Sequence, residues 1–304
     1  MRFKMVKMIR RGLAIFLLTL VSLLLVTCNA RLYNRVPERG ITAEEMLAQL
    51  QFLRSELESG MGEKMQQLFP EGYFFSYMLY GLSWVNVGLQ ESTTQAQALA
   101  EARWAYTQVD SHIGRAGFPQ NLEPPYGMFY NAWRNYLLLG ILLLQSTEER
   151  SADEWASFSR QTKTLSTAFS NSPTPFLASY THQSWPVDAL PALVSLRGYT
   201  HLSGDDRFEA VIERWLAQSL VLLDPETSLI PHRTDYRNGA MLEGARATSQ
   251  TLILRFLAEL DPELAQSHYE KFRQTYVVTR LGLPGVLEFP PHRPNAIKLS
   301  RLIP

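Results

Sequence analysis

The chain has 304 residues, 46% of them hydrophobic and 19% charged, with 29 basic and 29 acidic side chains and no net charge. That composition excludes disorder and low complexity, and the length fits one large helical domain behind a leader. Five of the basic residues fall within the first 27, so the remainder carries 24 basic against 29 acidic groups, about −5. A mildly acidic body excludes nucleic acid as a partner, because that binding needs a clustered basic face.

The leader, residues 1–30, opens with Arg2, Lys4, Lys7, Arg10 and Arg11 and continues into an uncharged apolar run, residues 12–27. Sixteen residues without a charge suit a secretory signal core and fall a little short of a full span of about 20. The crowded N-terminal charge, against Arg31, Arg35 and Arg39 beyond, places the N-terminus in the cytoplasm and the body outside, in a periplasm or at a cell surface. Three fates fit the run: retention as an anchor, cleavage after Ala30, or lipidation at Cys28 within Leu25-Val26-Thr27-Cys28. Cys28 is the single cysteine, so no disulfide is expected in the body.

Residues 31–41 read as a spacer, and the body spans 42–304. Its first helix opens at a capping box, Thr42-Ala43-Glu44-Glu45, and carries Met46, Leu47, Leu50, Leu53 and Leu57 at helical spacing to about Ser59. Four segments that are apolar nearly all round follow: 72–89, 126–144, 185–202 and 242–260. Their starting points, Tyr73, Gly127, Pro186 and Leu242, lie 54, 59 and 56 residues apart. Amphipathic helices alternate with them at 94–110, 152–169, 205–223 and 262–276. A helix apolar on every side has to be surrounded and one with a single stripe covers a core, so the alternation predicts an inner and an outer layer of helical hairpins. Beyond Tyr276 the glycines and prolines of 282–294 predict an extended C-terminal tail laid over the body.

Within this pattern Ser184-Trp185-Pro186-Val187-Asp188 opens one inner helix, and Asp224-Pro225-Glu226-Thr227-Ser228-Leu229-Ile230-Pro231-His232 precedes another. The hairpin alternation and these two stretches resemble the α/α-toroid proteins of the six-hairpin glycosidase-like group, over roughly residues 42–280, with four hairpins and a leading helix in place of six. The resemblance implies an all-α fold, a toroid or partial toroid with a short β-hairpin, and an activity on sugars.

Inner helices of a toroid all begin near one end, where their first residues converge. Asp188 stands at such a start beside Trp185, in position to serve as general acid or base; as a first-turn acid it also favours the helix dipole. His232, Arg233 and Asp235 belong to a polar run ending in the Asn238-Gly239 turn signal. Beyond it, Glu243, Arg246, Ser249 and Gln250 are expected on one face of an apolar helix. Glu243 would complete a carboxylate pair with Asp188 for acid–base work on a glycosidic bond, or form an ion pair with Arg246. Arg246, His232 and Arg233 would hold anionic or hydroxyl groups. Tyr73, Tyr126, Tyr130 and Trp185 would supply a stacking floor or, equally, core. The six histidines lack the spacing of metal ligands, and no phosphate loop or nucleophile elbow is present, so no metal or cofactor is expected.

The leading expectation is a membrane-anchored protein that binds, and cleaves or modifies, a glycan or other envelope polymer; an enzyme of this kind would be a glycoside hydrolase or lyase using two carboxylates. The alternatives are a non-catalytic helical-repeat protein docking an envelope protein, and a toroid enzyme acting on an apolar, terpenoid-like substrate.

Overall fold

The computed structural model describes residues 2–33, 43–280 and 282–291. The capping-box residue Thr42, the spacer from residue 34 onward, His292 and Pro294 lie outside the described residues. The chain divides into two compact units. One holds helix α1 (Arg2–Tyr33) and an antiparallel hairpin of β3 (Val277–Arg280) and β4 (Leu283–Val286). Residues 7–31 of α1 form a helix long and apolar enough to cross a membrane, a property shared by membrane anchors and signal sequences. The hairpin corrects the expectation of an extended tail over 277–286. Gly282, at φ +76°, supplies the left-handed turn, and Val277 pairs with Val286.

The second unit is mostly helical. Its leading helices are α2 (Ala43–Glu58) and α3 (Met61–Leu68), a short element with no counterpart in the sequence-based expectation. Four hairpins follow: α4 (Gly72–Gln90) with α5 (Gln95–Val109), α7 (Gly127–Leu143) with α8 (Ala152–Asn171), α9 (Leu190–Ser203) with α10 (Glu209–Val221), and α11 (Ala247–Leu260) with α12 (Pro262–Tyr276). The four-residue helix α6 (His112–Arg115) lies between the first two. Contacts between inner helices run α4 to α7, α7 to α9 and α9 to α11, while α5 also leans on α7 and α8 on α9. This is the two-layer arrangement that the apolar alternation requires.

Local chemistry explains the packing. Helix α7 buries Leu137, Leu138, Ile141 and Leu142 completely or nearly so, each stabilising by about 1.5–3 kcal/mol. Gly140 lets α7 approach α4, since a Cβ there would lie 2.9 Å from Val85. Helix α5 turns its small side chains Ala98, Ala102 and Ala105 inward, which accounts for its close contact with α4. Ser151 caps α8 by accepting from the Glu154 amide, and Asp153 and Glu154 add favourable charge to the first turn.

Two inner starts differ from expectation. The 185–202 segment begins with a 3-10 turn, Pro186–Ala189, before α9. The fourth segment starts as a strand: β2 (Met241–Glu243) pairs antiparallel with β1 (Arg233–Thr234), and α11 begins only at Ala247. Glu243 therefore sits on a strand and Arg246 in extended backbone, not on one helical face with Ser249 and Gln250. The backbone of Glu243 is committed to its partner Arg233, which delays the helix.

Candidate functional site

The loops and turns that precede the inner helices meet at the ends where those helices begin. The Met128 amide donates to the Ala178 carbonyl (2.9 Å), joining the start of α7 to the loop before α9, and the Thr234 amide donates to the Ser184 carbonyl (3.0 Å), joining that loop to the β1–β2 hairpin. Gly127 makes the first junction possible: its φ is +80°, and a Cβ would fall 2.2 Å from the Ser179 carbonyl oxygen. The buried Asp224 carboxylate accepts from the amides of Glu226 (3.0 Å) and Ala245 (2.8 Å), so the Asp-Pro-Glu-Thr stretch anchors the loop that carries the hairpin.

Asp188, 7% exposed, lies in the 3-10 turn before α9. Burial pushes its carboxyl up to about 7; the Ser179 hydrogen bond pulls the other way, and the charge of Glu71 adds to the rise. Glu71 is the residue before α4, and the Tyr180 hydroxyl donates to its Oε1. Burial, then the bond to Glu71 and the charge of Asp188, hold the Tyr180 phenol well above its ordinary range. Trp185 meets Tyr180 edge to face at 5.4 Å. The carboxyl group that the structure brings to Asp188 is thus Glu71, which sequence reasoning did not single out. An acid directly before a helical glycine reads as a helix cap, and its partner Tyr180 stands 109 positions away.

Glu243 belongs to a second cluster. Its carboxylate meets Arg233 at 2.8 Å, Arg246 at 3.8 Å and His232 Nε2 at 4.0 Å, and Arg246 also pairs with Glu288 at 2.8 Å. Burial first, and the charge of Arg246 next, bring His232 down to about 4, so the imidazole is neutral. Arg246 Nη1 lies 3.3 Å from Nε2, and a guanidinium only donates. Nε2 therefore accepts, and Nδ1 carries the proton and donates it to Ser249 Oγ. A histidine held in that tautomer does not take the serine proton, so the pair is not an activated nucleophile.

The other residues singled out from sequence are dispersed. Tyr73 is buried and donates to Gln108 (2.9 Å); Tyr130 is buried and donates to Asp110 (3.0 Å), with the half-buried Tyr126 ring 5.6 Å away. Asp235 accepts from the Arg237 amide at 2.8 Å and shapes the hairpin turn. Gln250 is buried, and its Nε2 donates to the Ile230 carbonyl at 2.7 Å.

A cleft of about 590 Å³ opens among these same loops. Asn121 and Glu123 come from the loop before α7, Asn171 from the end of α8, His182 from the loop before α9, and Tyr236 and Arg237 from the hairpin turn, over an apolar floor of Leu122, Leu177 and Ala178. The volume lies within the range of small-molecule sites. His182 Nδ1 lies 3.4 Å from the Tyr236 hydroxyl, and the Arg237 guanidinium lies over the Tyr236 ring at 5.4 Å. The floor is held from beneath by Trp215 of α10, whose indole donates to the Pro175 carbonyl at 2.8 Å. Ser179, the neighbour of the floor residue Ala178, is the residue that hydrogen-bonds Asp188.

No family model and no curated protein matches this chain. The functional reading therefore rests on the cleft and the two side-chain clusters themselves.

Proposed function

We propose that this protein is held at a membrane by its N-terminal helix, with the body on the extracytoplasmic side, and that the body binds a glycan or related polar polymer in the cleft before α7, α9 and α11. The observation that carries the reading is the makeup of that cleft. Asn121, Asn171, Glu123 and Arg237 offer donors and acceptors for hydroxyls, and Tyr236 with His182 offers faces for a sugar ring, above an apolar floor. Supporting it, the basic residues crowd the N-terminal side of the apolar run, the bias that leaves the following domain outside. Asp188, joined to the cleft floor through Ser179 and with its carboxyl raised by burial, is the group suited to act as general acid if the ligand is also cleaved, with Glu71 as the second carboxylate. A thermal-shift titration of the full chain with neutral and acidic oligosaccharides tests the reading. Stabilisation that Tyr236→Ala removes supports it, and the absence of a shift with every glycan sinks it.

A second reading, a non-catalytic docking protein of the envelope, is favoured by one observation: Glu243 is paired with Arg233 and Arg246 instead of facing Asp188. Under that reading Asp188→Asn leaves function unchanged, and crosslinking through the cleft rim captures a protein rather than a sugar.

A further inference from the structure

A second cavity, about 330 Å³, lies away from the cleft, between α4, α7 and α11. Its walls are Leu82 and Val85 of α4, Trp133 and Leu139 of α7, and Phe256 of α11, with Leu79, Leu89 and Leu252 as the lip, 54%, 52% and 38% exposed. Three leucines that open at one cavity mouth form a contiguous apolar surface of the kind that marks a binding site. Leu79 and Leu89 stand ten residues apart on one helix, so the trough is about 15 Å long.

The length and apolar walls of the trough set the class of occupant. A linear hydrocarbon fits: at roughly 30 Å³ for each water-sized unit the cavity takes about eleven methylene groups, close to what a 15 Å trough accommodates end to end. Charge decides which end lies where. The charged groups lining the trough are Arg255 and Glu259, paired with each other on the last turns of α11, with the Tyr136 hydroxyl donating to Glu259 at 3.3 Å. Glu259 meets one terminal nitrogen of Arg255 and the Tyr136 hydroxyl also bonds the guanidinium, which with five N–H donors has capacity for a second carboxylate. We propose that this trough binds a fatty acid of medium chain length, its chain along α4 and α7 and its carboxylate on Arg255. The chain also carries a helix apolar enough to cross a membrane, and a body held at a bilayer would meet such amphiphiles at high local concentration. This site is independent of the glycan cleft, and neither stands or falls with the other.

The test uses Trp133, which lines the trough. The full chain, kept soluble in amphipol so that no detergent competes, is titrated with bromoundecanoic acid, whose bromine quenches nearby indoles. Saturable quenching is expected, with Trp133→Phe removing the quenched component. Leu252→Glu, a lip position that leaves the core intact, should weaken binding at least tenfold, and Arg255→Gln several-fold. Quenching that does not saturate, or that is equal in Leu252→Glu, overturns the proposal. Self-association of the free chain that Leu252→Glu abolishes also overturns it, since the trough would then be the contact between two copies.

Discussion

Asp188, buried before α9, and the half-buried Glu71 before α4 lie close enough that the charge of Glu71 raises the Asp188 carboxyl, while Tyr180 donates to Glu71 and feels the charge of Asp188. Burial is the larger cause of the Asp188 rise, and the charge of Glu71 adds to it.

The first consequence concerns stability. A carboxyl raised from 3.8 to about 7 is protonated when folded and ionised when unfolded between those values, so its contribution is fully present below pH 3.8 and is lost as pH rises through 7. Asp188→Asn removes that loss. The variant should melt at nearly the wild-type temperature at pH 4 and increasingly above it toward pH 7, the gain levelling off above pH 7 at about 4 kcal/mol. Calorimetry across that range checks it; a constant difference at all pH values would mean the proton is not held there.

His232 and His268 carry the opposite sign. Burial first, and a neighbouring cation second, hold each down to about 4 in the folded protein, against 6.5 when free. Both stabilise as neutral groups above 6.5, and that stability drains as pH falls from 6.5 toward 4. His268 is completely buried, so His268→Phe should flatten the acid limb by about 1–2 kcal/mol at pH 5. Urea melts at pH 7.5 and pH 5 give the difference directly.

Arg246 is predicted to set the protonation of His232. Replacing it with Met removes the donor 3.3 Å from Nε2 and the charge that lowers the ring. The imidazole pKa should rise by about one unit, equivalent to about 1.4 kcal/mol, and the fixed Nδ1–H tautomer should give way to a mixture. Nitrogen chemical shifts of His232 through a pH titration report both; an unchanged tautomer would contradict the assignment.

Gly127→Ala should be among the most damaging single methyl additions. The residue has a φ of +80°, and the new Cβ would meet the Ser179 carbonyl at 2.2 Å. A loss of at least about 2 kcal/mol is expected, with the hydrogen-exchange protection of the Met128 amide falling together with the melting temperature. Retained stability would mean that the loop before α9 gives way.

The layered fold was legible because burial is periodic. Tyr73 and Gly127 fall on the first turns of α4 and α7, and Pro186 on the turn that leads into α9. The fourth start, Leu242, misses α11 by five residues, because apolar character alone does not separate a short strand from a helix; the pairing of β2 with β1 is what decides it. Helix α3 escaped notice since eight residues with Met61, Met65 and Leu68 make too short a stripe. Asp188 was visible as an acid at a helix start, and His232, Arg233, Glu243 and Arg246 as a polar run. Which acid faces which cation depends on contacts across loops, such as Tyr180 with Glu71 and Arg246 with Glu288, and local spacing carries no trace of them.

Most helix contacts join neighbours along the chain, as α4 joins α5 and α11 joins α12, whereas Tyr180 reaches back to Glu71 and Tyr136 forward to Glu259, across 123 positions. Local contacts form early and distant ones late. During synthesis the apolar helix emerges first and the hairpins collapse in order behind it. The acidic corner is assembled when the residues before α9 have arrived, and the fatty-acid trough only when α11 is complete. A chain that stopped after α8 would lack the helix α9 against which α7 and α8 pack, and would carry neither site.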